Sequence, residues 1–371
     1  MTDLHGIVYA YHSSPALGDL VLHRTAASLP FCSRYRLIDF ALSAMANAGI
    51  RDVGVIMRQD YQSLLDHLGS GKDWDLSRGS GGLSLLPPFG TSDSRSAQYS
   101  GCIDALSAMR TYIGDIRQEN IVLFRGDLAV NIDLRRVFEQ HKASGAEITA
   151  VCTEKPFDSS SNVIRFLPDT STSSRRMLYS GTGGEGLPSM EVYIISKKLL
   201  ISFIDDCRAR GKVHFHRDAL AHYFKRGGFI NLYLHQGYTA HLCSVPDFYS
   251  ANMDMLNGSL RSQLFPENRP VFTRGRSSVS TYYGDYSSAK NSLVADGCFI
   301  EGELTNCVLF RGVRVNRGAK LHDCIIMPDT IIGRDARLSC VISDKDATIS
   351  DGLVLTGTKS LPIVVPKGKQ L

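Results

Sequence analysis

Residues able to do chemistry stand where apolar runs end. Asn120-Ile-Val-Leu-Phe124 reads as a buried strand, and Arg125-Gly-Asp127 follows it directly. A carboxylate at a strand end is an oxygen ligand for a hard divalent cation such as Mg²⁺. The triplet also spells a cell-adhesion motif, which a strand end in an intracellular chain excludes. After the first apolar run, Gly6-Ile-Val-Tyr9, the chemistry is instead missing. A phosphate cradle there needs glycines, whose backbone bends tightly and brings N–H groups close to phosphate. Tyr9-Ala-Tyr-His-Ser-Ser-Pro-Ala-Leu17 contains none. Within Ser13-Ser14-Pro15 the proline lacks an N–H, and the two tyrosines add bulk. The nine cysteines are scattered, without CxxC or Cys/His zinc spacing. They read as small buried hydrophobes in a reducing compartment.

The elements that must position these residues fall into two rhythms. Over residues 1–245, apolar runs at Gly6–Tyr9, Asp52–Ile56, Asn120–Phe124 and Glu147–Val151 alternate with helical periodicity at Ile38–Ala48, Tyr61–Leu68 and Leu134–Ser144. Strands alternating with helices predict an α/β domain with a mostly parallel sheet, which binds ligands at its strands' carboxyl ends. Segment 159–187, rich in Ser, Thr and Gly, reads as an insertion or hairpin. A helix over Asp247–Leu260 and a Pro/Arg/Ser-rich stretch form a connector, 246–281. Residues 282–371 repeat. At 294–300, 315–321, 332–338 and 349–355 an apolar residue is followed three later by Gly or Asp and six later by another apolar residue. Cysteine followed by two aliphatics recurs at Cys307, Cys324 and Cys340, in register with that template. Six-residue spacing with a turn former predicts short strands stacked as a left-handed parallel β-helix. Length (371 residues), 43% hydrophobic and 21% charged content suit a two-domain globular chain. A net charge of +4 without a basic run argues against nucleic acid. The lack of a leader pattern or long apolar stretch argues against membrane and for the cytoplasm.

Leu29 to Gly49, LPFCSRYRLIDFALSAMANAG, and Gly69-Ser-Gly-Lys-Asp-Trp-Asp-Leu76 resemble stretches of the glucose-1-phosphate adenylyltransferase (ADP-glucose pyrophosphorylase) family, and the solenoid matches that family's C-terminal domain. The resemblance implies a Rossmann-like nucleotidyltransferase domain followed by the β-helix. It also assigns roles, and most catalytic positions depart from them. The family's GGxGxRL loop is replaced by the glycine-free stretch with Ser13, Ser14 and Pro15. Its AKPAxPF lysine is Ala26. Its SGDH is Arg125-Gly-Asp127, which keeps Asp127 as a vestigial Mg²⁺ ligand. Aligning on Ala251-Asn-Met-Asp254 puts His241 where the second metal aspartate belongs, and imidazole suits hard Mg²⁺ poorly. Its FxEKP segment has no counterpart before Leu187, and Glu154-Lys-Pro156 lies too far upstream. Glu191 stands where the family has glycine, and would repel a sugar phosphate. Tyr99-Ser-Gly-Cys-Ile-Asp-Ala105 keeps Gly101, Asp104 and Ala105 of YxGTADA. Arg24, Arg36 and, approximately, Lys345 match basic positions lining the family's activator cleft between the domains; arginine forks suit phosphate. A structural alternative pairs Arg36 with Asp39 or Asp52. Gly71-Lys-Asp-Trp74 resembles a loop that relays effector binding, though a loop aromatic is more often simply packed.

An intact frame with an eroded pocket implies the family's regulatory, catalytically deficient subunit. It would need no cofactor of its own, while Mg²⁺ and ATP serve a catalytic homologue with which it forms a heterotetramer making ADP-glucose for glycogen synthesis. A phosphorylated effector is the other expected ligand, and no metal site is assigned to this chain. A self-sufficient, low-activity or altered-substrate sugar nucleotidyltransferase is the alternative. A hexapeptide-repeat acyltransferase would rest on His322, the only histidine of the repeats, and would leave the N-terminal domain unexplained.

Overall fold

Three strands rich in Val, Ile and Leu, β1 (Leu4–Tyr9), β2 (Asp52–Ile56) and β4 (Asn120–Arg125), are buried on both faces and form the centre of a nine-stranded sheet. The computed structural model describes residues 3–12, 14–58, 60–79, 81–88, 99–154, 164–168, 177–182, 186–275 and 277–371. β1 pairs in parallel with both β2 and β4, and β2 in parallel with β3 (Gly82–Leu86). Beyond β4 the sheet is mixed. β7 (Leu187–Ser196) runs antiparallel to β4 and to β6 (Ile148–Thr153), and β8 (Asn231–His235) lies parallel to β6. A small ribbon joins β5 (Leu128–Val130) to β9 (Thr239–His241). Helices α1 (Leu37–Asn47) and α2 (Leu134–Ser144) pack apolar faces on the sheet, within about a residue of the sequence reading.

The helix expected over Asp247–Leu260 is instead two: α3 (Val245–Asp254) and α4 (Gly258–Leu264). Asn257 breaks the run, because its side-chain oxygen accepts the N–H groups of Ser259 and Leu260 as an N-cap and Gly258 is a weak helix former.

From Tyr282 onward, parallel strands stack in three five-stranded sheets, the faces of a left-handed β-helical prism. The first face carries Tyr282, Phe299, Arg314, Ile331 and Thr348 in register, and the second is charged outside, with Lys320 paired to Glu303 at 2.9 Å. The third face turns Val308, Phe310, Ile325, Met327 and Ile342 outward into one core with Leu17, Leu20 and Phe31 of the α/β domain and Phe248 of α3. The cysteine marker needs correcting. Cys307 and Cys324 occupy equivalent interior positions, but Cys340 sits one place early, and Val341 takes the third interior place. Cys340 instead occupies the corner shared with Asn306 and Asp323, where φ is 51° to 53°. The repeat is 17 residues per coil at that point, whereas 16 separate the two cysteines.

Candidate functional site

The carboxyl ends of β1 and β4 lie side by side, Tyr9 opposite Arg125, where an open α/β sheet places its ligand. Gly126 follows because a Cβ there would stand 3.0 Å from the Tyr9 carbonyl oxygen. The Arg125 side chain turns back across the strand ends and is nearly buried. Its Nε and Nη2 donate to the two oxygens of Asp127 at 2.9 and 2.8 Å, a bidentate fork, and Nη1 donates to Glu191 Oε1 at 2.5 Å. Nη2 also meets His241 Nε2 at 2.7 Å. Arginine has donors alone, so that imidazole nitrogen accepts and carries no proton. His241 comes from β9, opposite Leu128, and Glu191 from a bulge in β7.

Glu191 keeps a backbone made for glycine. Its φ is 52°, in the left-handed region that a side chain enters at a cost. Burial would raise both carboxyls, but the Arg125 guanidinium reverses this. Asp127 is held well below the usual carboxylate range, and Glu191 at about 2. One cation thus holds both the retained aspartate and the new glutamate in their ionised form, and the trio keeps one net negative charge. A divalent ion would need oxygens that this guanidinium already occupies, and His241 supplies nitrogen, so the residues present do not fit Mg²⁺. Among the described residues no cluster of three or more His, Cys, Asp or Glu side chains is placed to hold a metal.

Aromatic rings occupy the turn after β1. Tyr11 stacks on His12 at 4.5 Å between centroids and meets Tyr9 and Tyr99 edge-on at 5.8 and 5.4 Å. Burial and the nearby Arg125 lower His12 to about 4, so it is neutral at physiological pH. Ser14 caps a short 3-10 segment, Pro15–Val21, whose Leu17 and Leu20 anchor in the core shared with the solenoid. Ser13 lies outside the described residues, as do Lys155 and Pro156. Ala26, at the lysine position, is buried in the same core. Asp104 has a structural occupation, accepting the Ser100 N–H at 2.9 Å at the start of helix Cys102–Ala108. Gly101 is required there, since a Cβ would stand 2.4 Å from the Val213 carbonyl oxygen.

The basic positions separate. Arg36 and Lys345 line one cleft of about 140 Å³ between the domains, with Arg34, Arg274 and Arg311. Arg36 donates to the Ser63 carbonyl and hydroxyl oxygens at 2.5 and 3.1 Å. The Asp39 carboxylate accepts the Arg36 backbone N–H at 2.9 Å with one oxygen and takes Nε2 of His67 at 2.5 Å with the other, and Trp74 packs edge-on against that ring, fully buried. Arg24 is not in the cleft lining. It is buried against Asp344 of the solenoid, whose other oxygen accepts the Lys345 N–H at 2.7 Å. Sequence reasoning missed Arg125 itself. The signal available was a cation two residues before a retained aspartate and a new acid at a glycine position, two charges in need of each other.

The fold and this strand-end arrangement define a sugar-nucleotidyltransferase type of domain joined to a hexapeptide solenoid. Residues 17–163 match the nucleotidyl transferase family, and 278–359 the GlmU-like C-terminal hexapeptide family. The glycogen biosynthesis protein GlgD of Bacillus subtilis (strain 168) is 34% identical over 357 residues, covering 95% of this chain and 92% of its own. Glucose-1-phosphate adenylyltransferases of Bacillus cereus (strain ATCC 10987 / NRS 248) and Bacillus anthracis are each 28% identical over 355 residues, covering 94% of this chain and 93% of theirs. The chain belongs to the glucose-1-phosphate adenylyltransferase family of glycogen synthesis, in its GlgD type. No helix among the described residues is long and apolar enough to cross a membrane.

Proposed function

We propose that this chain is the catalytically deficient, regulatory subunit of a cytoplasmic glucose-1-phosphate adenylyltransferase. It assembles with a catalytic homologue into a heterotetramer that converts ATP and glucose 1-phosphate to ADP-glucose and diphosphate. The observation that carries the reading is Arg125, whose guanidinium is bound by Asp127, Glu191 and His241 at the place where the family gathers its metal carboxylates. Loss of one well-placed electrostatic group costs about 10²–10³ in rate. Here the phosphate loop, the lysine at Ala26 and the metal ligand set all differ, so turnover by this chain alone falls to background even without additivity. Mg²⁺ and ATP then belong to the catalytic partner. The cleft holding Arg36 and Lys345 has the charge for a phosphorylated effector, with five cationic side chains against Asp329 and Asp346.

The test is ADP-glucose synthesis by this chain alone, by a catalytic homologue alone, and by the two co-expressed, with and without phosphorylated glycolytic effectors. The expected result is background activity alone and an altered rate or effector response in the mixture. Substantial Mg²⁺-dependent turnover by the chain alone would overturn the reading.

A further inference from the structure

Two clefts flank the domain junction, one along each corner of the solenoid's third face. The basic one runs along the corner of Arg311, Asp329 and Asp346. The other, about 490 Å³, lies between α3 and the opposite corner, where Asn291, Asn306 and Asp323 stack one per coil. Its chemistry is reversed. The carboxylates of Asp254 and Asp323 face one lysine, Lys359, and the rest of the polar lining is amide and hydroxyl. Left-handed backbone explains why Asn and Asp occupy these corners. It does not use up their side chains. Asn291 Nδ2 donates to Asn306 Oδ1 at 2.8 Å. Among the described residues, no hydrogen bond engages the Asn291 side-chain oxygen Oδ1 or the Asn306 side-chain N–H groups on Nδ2.

We propose that this second cleft binds a neutral, polyhydroxylated ligand, a saccharide. Each sugar hydroxyl donates one hydrogen bond and accepts up to two, so it needs donors and acceptors interleaved. Asn306 and Ser250 supply donors and Asn291 an acceptor, while Asp254, which takes the Tyr238 hydroxyl at 3.0 Å, and Asp323, which meets Lys359 at 3.6 Å, keep a second carboxylate oxygen each as further acceptors. An anion would meet two carboxylates. A nucleobase would find no open ring to stack on, because Tyr249 is buried with its hydroxyl donated to the Asp323 carbonyl oxygen at 2.8 Å. The volume is in the range of small-molecule sites. The lining comes from the connector, through α3 and the turn after it, and from the solenoid, so occupancy bridges those two on the side away from the basic cleft.

The test is saturation-transfer NMR on the full chain, with glucose, maltose and maltotriose as probes and inorganic phosphate as competitor. The expected result is saturable transfer to at least one saccharide, with Kd of about 1 mM, undiminished by phosphate. Asn306→Gly keeps the left-handed corner and is expected to weaken binding about tenfold, the equivalent of one lost hydrogen bond. Ser250→Trp, at an exposed position of α3, fills the mouth and abolishes binding. Three results would overturn the proposal: no transfer to any of the saccharides, transfer that survives Ser250→Trp in a natively folded variant, or displacement by phosphate. Binding is read without a partner and without turnover, so failure here leaves the regulatory-subunit reading untouched, and failure of that reading leaves this one.

Discussion

A guanidinium at Arg125 holds together an imidazole and two carboxylates, and the two carboxylates would repel each other without it. Asp127, in the turn between β4 and β5, and Glu191, in β7, are acids near the same buried point, and breaking such a pair by removing one partner costs about 3–5 kcal/mol. Arg125→Met is therefore expected to lower unfolding free energy by that amount at pH 7, measured in urea. The pH dependence has a definite sign. In the native chain both carboxyls titrate below their unfolded value of about 4, so their stabilisation is complete above it and fades as pH falls towards 2. Without the arginine, burial raises both carboxyls above the unfolded value, and the penalty grows as pH rises from about 4 to 7. The deficit of Arg125→Met should thus shrink on moving from pH 7 to pH 4.5; an equal deficit at both would remove the counter-ion role. Glu191 offers a second test, because its left-handed φ and its charge pull in opposite directions. Glu191→Gly loses the ion pair but relieves the backbone, whereas Glu191→Ala loses the pair and keeps the strain. The alanine variant is expected to be the less stable by about 1 kcal/mol, and the reverse order in thermal melts would show that the backbone at 191 is unstrained.

The elements were legible where a local rule governs them and illegible where a distant contact does. A short apolar run and a period-3.6 pattern placed β2 and α2 to the residue, since burial on both faces of a strand or one face of a helix leaves a direct imprint. The six-residue repeat identified the solenoid for the same reason. The break at Asn257 and the offset of Cys340 were missed because an apolar run looks the same with or without a cap, and a cysteine looks the same inside a prism or at its corner. At the site, sequence reasoning singled out Asp127, Glu191 and His241. It did not join them, because their common partner is 66 residues from one and 116 from another. The Cys340 corner yields a prediction at this scale. Asn306 and Asp323 hold the equivalent left-handed positions, and cysteine has no local hydrogen bond to favour that conformation. Cys340→Asn is expected to stabilise the protein by about 1 kcal/mol, seen as a higher melting temperature. A lower one would mean that the buried thiol's packing outweighs the corner's backbone preference.

The α/β domain and the solenoid share a core, and that decides how the molecule unfolds. Val308, Phe310, Ile325, Met327 and Ile342 are fully or almost fully buried on the prism's third face, against Leu17, Leu20 and Phe248. A solenoid separated from the first domain would expose them as one continuous apolar patch, a route to aggregation. The rewritten turn after β1 contributes to this junction through Leu17 and Leu20, so the segment that no longer offers a phosphate cradle now ties the domains together. Arg24 and Asp344 add a buried ion pair across the same boundary. Removing either partner strands a buried charge, and removing both strands none. Arg24→Met and Asp344→Ala are each expected to destabilise by about 3 kcal/mol, and the double variant by clearly less than their sum, a coupling readable in a double-mutant cycle. Calorimetry supplies the second readout. If the junction couples the domains, wild type unfolds in a single transition, and Asp344→Ala lowers that transition as a whole. Two separate transitions in wild type, with only the solenoid's shifted by Asp344→Ala, would mean that the shared core is too weak to carry a signal from a cleft at the junction to the first domain.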